Sequence, residues 1–326
     1  MALLECKDLA VEFVTPAGRL RAVDGVSFEL AEGEVLGLVG ESGSGKTVAC
    51  RSMLRLLPSE RARVAGGEVL FEGRELLRES EAQLRRLRGS RLAMIFQNPS
   101  THLDPLMTVG RQVAEPLIYH EGLSSREARL RAIELLRQVG IPDPAHNIDA
   151  YPHQFSGGMR QRAMIAAAIA CRPRLLIADE PTTALDVTVQ AQILRLLLEL
   201  RDRSGLAIIL ISHDLGVIAS TCDRVVVMYA GRIMEQATKA EILRHPRHPY
   251  TAGLIGSRPS AGDRGRYLRS IDGQLPALSA LPSGCRFHPR CPHAEGVCRA
   301  GDLRPVAIDA THATACIRWR EATAAA

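Results

Sequence analysis

The chain has 326 residues, enough for about two domains, and its 46% apolar and 24% charged side chains are the balance of a folded chain, not a disordered one. Lys plus Arg (41) over Asp plus Glu (36) leaves a net charge of +5, too little by itself to imply a nucleic-acid partner. The longest apolar run, Ala163 to Cys171, stops at Arg172, short of the roughly 18 residues a membrane span needs.

Met1-Ala-Leu-Leu-Glu-Cys-Lys7 lacks the charged and apolar regions of a secretory signal, so a reducing compartment is expected. The first third then reads as short strands. Leu9 to Val14, Val26 to Leu30 and Glu34 to Val39 are rich in Val, Leu and Phe and bounded by Gly or Pro. Thr15 to Gly18 and Ala65 to Gly67 read as turns. Val35 to Val39 runs into a glycine-rich loop and a helix beginning near Lys46, and Arg91 to Gln97 is another candidate strand. Residues 109–171 read as helical. Ser124 and Glu127 have capping-box spacing, Ala128, Ile133, Leu136 and Val139 recur at helical intervals, and Gly140-Ile-Pro142 ends the segment. Leu175 to Ala178 and Leu206 to Ile211 are apolar without alternation, with an amphipathic helix from Val187 to Arg203 between them; such runs suit a parallel sheet covered on both faces. From His245 onward, Pro246, Pro249, Pro259, Pro276 and Pro282 predict a linker or irregular extension. There is no internal repeat and no second phosphate loop, which predicts one nucleotide-binding unit per chain.

Gly40-Glu41-Ser42-Gly43-Ser44-Gly45-Lys46-Thr47 fits G-x-x-x-x-G-K-[ST] between a strand and a helix, the context this motif requires. Its glycines let consecutive backbone N–H groups converge on phosphate oxygens, and the following helix adds its positive end. Lys46 is placed to reach the β- and γ-phosphates and Thr47 to ligate Mg²⁺, so ATP or GTP is the expected ligand.

Leu175-Leu-Ile-Ala-Asp179-Glu180 is an apolar strand ending in two acids, which a buried strand tolerates where its tip faces a cation or water. Asp179 reads as an outer partner of Mg²⁺ and Glu180 as the group that polarises a water for in-line attack; an acidic helix-entry turn is the plainer alternative. His213 follows the next buried strand and reads as a γ-phosphate contact at the edge where open α/β sheets bind ligands. Gln97 ends its own strand, where an amide could touch Mg²⁺ or water.

Ser156-Gly157-Gly158-Met159 opens another helix with a Ser cap and two glycines, a second anion site distant in sequence from the first. One triphosphate has no need of two such loops in one chain, so this one is expected to close over ATP held by another subunit.

Taken in order, the loop at 40–47, Gln97, Phe155-Ser-Gly-Gly-Met159, the pair 179–180, Ala184-Leu-Asp186 and His213 resemble the ATP-binding subunits of ABC transporters over most of residues 3–240. Phe155 and Met159 depart from the family's usual Leu-Ser-Gly-Gly-Gln. The resemblance implies an α/β fold: a P-loop core with a mainly parallel sheet and an antiparallel β subdomain (1–97 and 166–240), an inserted helical subdomain (98–165) and an irregular Cys-rich extension (241–326). It also implies an active ATPase working as a head-to-tail dimer, with Phe13 stacked on adenine, Asp186 communicating across the interface and Gln97 coupling the site to membrane helices. Phe13 as a core aromatic is the alternative.

His248-Pro-Tyr250 and Phe287-His-Pro-Arg-Cys-Pro292 resemble the C-terminal extension of the peptide-importer subgroup, which carries dipeptides, oligopeptides or nickel complexes; glutathione is a further related cargo. That resemblance implies import driven by ATP and Mg²⁺, with a second ATPase subunit (paralogue or copy), two integral-membrane permeases and, indirectly, an extracytoplasmic binding protein as partners. The chain would sit peripherally on the cytoplasmic face of the inner membrane. Cys285, Cys291, Cys298 and Cys316 crowd together in the tail, and clustered thiolates repel unless a cation holds them. Some relatives are expected to hold a 4Fe-4S cluster with such cysteines; His288, His293 and His312 leave zinc open, and no metal at all is the third reading. A non-transport ATPase acting on nucleic acid is the rival class. Its one supporting feature, the basic run from Arg85 to Arg91, reads as a solvated helix end, and no nucleic-acid partner is expected.

Overall fold

Residues 2–16, 18–57, 59–183, 185–257 and 270–322 are described by the computed structural model. Two long strands, Ala2–Thr15 (β1) and Gly18–Ala31 (β2), flank the expected turn, where Thr15 Oγ1 donates to the Gly18 carbonyl at 2.8 Å; Ala17 of this turn lies outside the described residues. Val35–Val39 (β3) is buried at every position and leads through the glycine-rich loop into Lys46–Met53 (α1). Ala62–Phe71 (β4) pairs antiparallel with β1 and with Arg74–Glu75 (β5), giving a sheet ordered β2-β1-β4-β5.

Where a turn is expected at Ala65 to Gly67, the chain instead stays extended inside β4. The β1–β4 register shifts between Lys7 and Ala10, and a Cβ on Gly67 (φ +97°) would stand 2.6 Å from Leu9 Cα. The glycines accommodate a bulge rather than reverse the chain.

Further along come Glu81–Leu87 (α2), Leu92–Ile95 (β6), Pro99–His102 (α3), Val109–Glu121 (α4), Ser125–Gln138 (α5), Pro144–Asn147 (α6) and Gly157–Ile169 (α7). The Ser124 box forms as expected: Ser124 Oγ accepts from Glu127 N (3.3 Å) while Glu127 Oε2 accepts from Ser124 N (2.9 Å). Leu175–Asp179 (β7), Val187–Ser204 (α8) and Ala207–Ser212 (β8) follow. Strands β6, β7 and β8 are parallel, with Leu92, Leu175 and Ala207 in register, and every residue of β7 and β8 is buried.

The remaining elements are Leu215–Thr221 (α9), Arg224–Tyr229 (β9), Arg232–Thr238 (β10), Lys239–Arg244 (α10), Pro249–Gly256 (α11), Val306–Ala307 (β11), Ala313–Thr314 (β12) and Trp319–Ala322 (α12). Strand β9 pairs parallel with β3 and antiparallel with β10, and β12 then adds antiparallel to β10. The tail is thus less irregular than its prolines predict, because it adds two short strands, β12 against β10 and β11 outside it. Pro259 lies outside the described residues.

By internal packing the chain forms two units, Met1–Leu30 with Val35–Leu77 and Ser212–Ala326, and Ala31–Glu34 with Arg78–Ile211. The fold is the α/β arrangement predicted, with parallel strands, an antiparallel sheet and a helical segment. Two buried carboxylates fasten the tail within the first unit. Glu235 of β10, fully buried, accepts from Arg247 N (2.6 Å), His248 N (2.9 Å) and the His312 ring (2.6 Å). Asp24 of β2 is paired with Arg232 (2.7 Å), Arg21 (3.2 Å), Arg304 (3.5 Å) and, through Nη2, Arg286. No helix among the described residues is long and apolar enough to cross a membrane.

Candidate nucleotide site

The loop from Gly40 to Gly45 curls because three glycines take positive φ: +150° at Gly40, +83° at Gly43 and +100° at Gly45. The space is as restrictive as the torsions. A Cβ on Gly40 would lie 2.1 Å from the Met228 carbonyl, and one on Gly45 would lie 2.8 Å from that of Ala22. Lys46 opens α1 with its ammonium inside the loop, donating to the carbonyls of Gly40 (2.8 Å) and Glu41 (3.0 Å) and to Ser44 Oγ (3.3 Å). Gly45 gives α1 no side-chain cap, so the helix starts on bare backbone amides beside a cation, with Thr47 in its first turn. Convergent amides, a helix N-terminus and an ammonium are the chemistry of triphosphate binding.

Asp179 ends β7 fully buried, and Glu180, next in the chain, has φ +46°, a left-handed conformation costing a non-glycine residue about 1–3 kcal/mol. Its N–H donates to the Ile211 carbonyl at 3.1 Å. Its Oε2 accepts from Gln97 Nε2 (2.8 Å) and Thr183 Oγ1 (2.9 Å). The structure therefore brings Gln97 and Glu180 together and adds Thr183, whose one sequence signal is a hydroxyl three residues past the acid.

Ser156 caps α7, its Oγ accepting from Met159 N at 3.3 Å, and Phe155 beside it is buried as an apolar anchor. Gly158 is required by close packing: a Cβ there would stand 2.9 Å from Val189 Cγ1 on α8. Gly157, at the exposed start of α7, presents its backbone to solvent. Asp186 caps α8 by accepting from Val189 N (2.9 Å) and is followed by Val187, 82% exposed; Ala184 of this loop lies outside the described residues. His213 is exposed after β8, and Phe13 is half-buried on β1 opposite Ala62.

Cys285, Cys291, Cys298 and Cys316 all line one cavity with His288 and His293. Burial pushes the Cys285 thiol up to about 11 and Cys316 up to about 12, and raises Cys291, so these groups are thiols at neutral pH. Among the described residues, however, no three His, Cys, Asp or Glu side chains are placed to hold a metal ion. The expected tetrathiolate geometry is not formed, and His312, a zinc candidate by sequence, is engaged with Glu235 instead.

Two further residues reach the loop at 40–47 from the tail. Tyr250 Oη accepts from Glu41 N at 2.9 Å, and Arg290 grips the Glu41 carboxylate. Sequence separations of 209 and 249 residues left these contacts without a local signal.

Compared with known families, residues 23–183 match the ABC transporter family and residues 234–298 the "oligopeptide/dipeptide transporter, C-terminal region". A "probable peptide ABC transporter ATP-binding protein" of Sinorhizobium fredii is 54% identical over 98% of this chain and 96% of its own length. The dipeptide transport ATP-binding protein DppD of Bacillus subtilis is 49% identical over 91% of this chain and 88% of its own. Among solved structures, a dimeric ATP-binding cassette in a post-hydrolysis state bound to ADP and Pi matches with a TM-score of 0.66 at 27% identity, covering 72% of this chain and 98% of that one.

Proposed function

Because the chain belongs to the ABC transporter ATP-binding family and carries the oligopeptide/dipeptide transporter C-terminal region, we propose that it binds and hydrolyses ATP to power import of dipeptides or oligopeptides through partner membrane permeases. The observation that carries this reading is the loop at 40–45, curled by its glycines around the Lys46 ammonium at the start of α1.

In this reading the loop amides and Lys46 bind the phosphates, and Phe13 stacks on adenine. Thr47, Gln97 and Asp179 would hold Mg²⁺, which would supply positive charge to offset that of the phosphates. Glu180 takes the proton of the attacking water, its carboxylate held by Gln97 and Thr183. His213 contacts the γ-phosphate. The Ser156–Gly158 amides serve the ATP of a second ATPase subunit, a copy or a paralogue, and Asp186 with exposed Val187 belongs to that interface. Residues 98–165 transmit closure to the permeases; Leu106 (85% exposed) and Tyr119 (64%) support an apolar docking face there. An extracytoplasmic binding protein would deliver the cargo, and the chain would lie peripherally on the cytoplasmic face of the membrane. The core (1–97 and 166–240), the helical segment and the tail (241–326) are the functional divisions of this reading.

For the tail cysteines the reading is a structural clasp, a 4Fe-4S cluster or zinc. Four thiols around one cavity support the donor chemistry, while their placement does not close on an ion, so no step of the reaction is routed through it.

Affinity purification of the tagged chain from native membranes tests the assignment. Permease subunits and an ATPase partner should co-elute. A strictly monomeric chain, with turnover per molecule independent of its concentration, would overturn it.

A further inference from the structure

We infer that Tyr250 and Arg290 are positioning residues of the nucleotide site, which act through Glu41 to hold the phosphate loop in its binding shape and to cancel the one negative charge it carries. The inference rests on residues 40–47 being the ATP loop.

Glu41 is an anionic side chain inside a loop built to receive a polyanion, and left alone it would repel the ligand. Arg290 neutralises it in a two-bond fork, Nη1 to Oε2 at 2.8 Å and Nη2 to Oε1 at 3.1 Å. The guanidinium is not a casual surface partner, its side chain being 7% exposed. Its remaining donors go to the Asp272 carbonyl from Nε (2.8 Å), the Ile271 carbonyl from Nη2 (3.2 Å) and Tyr229 Oη from Nη1 (3.3 Å). All five N–H groups are thereby used, and the cation lies 5.7 Å over the Tyr229 ring and 5.9 Å over Phe287.

Tyr250 fixes the backbone of the same residue. It is fully buried, its ring packs on Tyr229 (4.7 Å) and Phe287 (5.2 Å), and its Oη accepts the Glu41 N–H. The backbone before it is held in turn, since His248 caps α11 by accepting from Tyr250 N at 3.1 Å. Glu41 also offers its carbonyl to Lys46 Nζ (3.0 Å) and to Ser44 N (3.1 Å). A displacement of Glu41 is therefore felt by the phosphate-binding lysine itself.

The test is titration of the full-length chain with the non-hydrolysable analogue AMP-PNP and Mg²⁺, alongside its melting temperature without nucleotide. Arg290→Ala should weaken affinity by about tenfold, and adding Glu41→Gln should recover most of that loss, because the repulsive charge is gone. Tyr250→Phe should weaken affinity by roughly threefold at an unchanged melting temperature, and Glu41→Gln should not rescue it. Wild-type affinity in both single variants, or an Arg290→Ala defect that Glu41→Gln leaves in place, overturns the inference. If Arg290→Ala fails to fold, Tyr250→Phe decides by itself: unchanged affinity overturns, and a loss at constant melting temperature supports. Lys46→Ala separates the two levels, since full binding in that variant means that the loop itself has been misassigned.

Discussion

Gln97 Nε2 and Thr183 Oγ1 both donate to the same oxygen of Glu180, at 2.8 Å and 2.9 Å. Two donors on one oxygen fix the plane of the carboxylate, and the left-handed backbone at Glu180 fixes where it starts. A carboxylate held in this way is oriented before any water arrives, as the base proposed above would have to be.

Glu180→Gln keeps the shape and removes the proton acceptor. Turnover should fall by about 10²–10⁴-fold while ATP still binds, and dimers should accumulate on ATP in gel filtration. Phosphate release at the unaltered rate would remove Glu180 from the role.

Thr183→Val deletes one of the two donors at nearly constant volume. The expected result is a fall in kcat of roughly threefold to tenfold with KM for ATP unchanged, since the hydroxyl touches the proposed base, Glu180. A rise in KM with kcat intact would instead place Thr183 in ground-state binding.

Asp24 predicts a pH effect as well as a mutational one. Burial alone would raise its carboxyl, but the Arg232 hydrogen bond and the charges of Arg232, Arg286 and Arg304 overcome this and hold it below the ordinary carboxylate value. A depressed folded-state value contributes stability that is complete above the unfolded value near 3.8 and is lost as pH falls through the folded one. Asp24→Asn should cost about 3–5 kcal/mol at neutral pH, because it strands buried guanidinium charge, and it should flatten the acid limb of urea unfolding measured from pH 7 down to about pH 3. An acid limb unaltered by the substitution would show that other groups dominate it.

For the thiol cavity, the chain purified without oxygen should contain iron and acid-labile sulfide, with a visible absorption band that Cys291→Ser diminishes. Zinc in place of iron selects the other clasp, and neither metal returns the cluster to four half-buried cysteines around one cavity.

Much of this was legible because it is local. The loop at 40–47, the Ser124 box, the Ser156 cap and the apolar run of β7 each depend on neighbours within a few residues, and the chain states them directly. Ala65 to Gly67 misled for the same reason. Glycines that look like a turn from one strand are a bulge once β1 is alongside, and that partner is about 57 residues away. Two-residue strands such as β11 and β12 are too short to show any period. The positive φ of Glu180 left no compositional mark either, as it comes from what the surrounding strands impose. Least visible were Tyr250 and Arg290, whose partner lies at the other end of the chain.

The burial of Glu235 sets where this protein can be shortened. Ending the polypeptide at residue 245, the natural cut for someone wanting a minimal catalytic fragment, would delete Arg247, His248 and His312 together and leave an anion sealed in a strand without those three donors. Such a fragment would have to be rescued by a neutral side chain at position 235, which makes Arg247, His248 and His312 part of the fold's own foundation and not cargo that it carries.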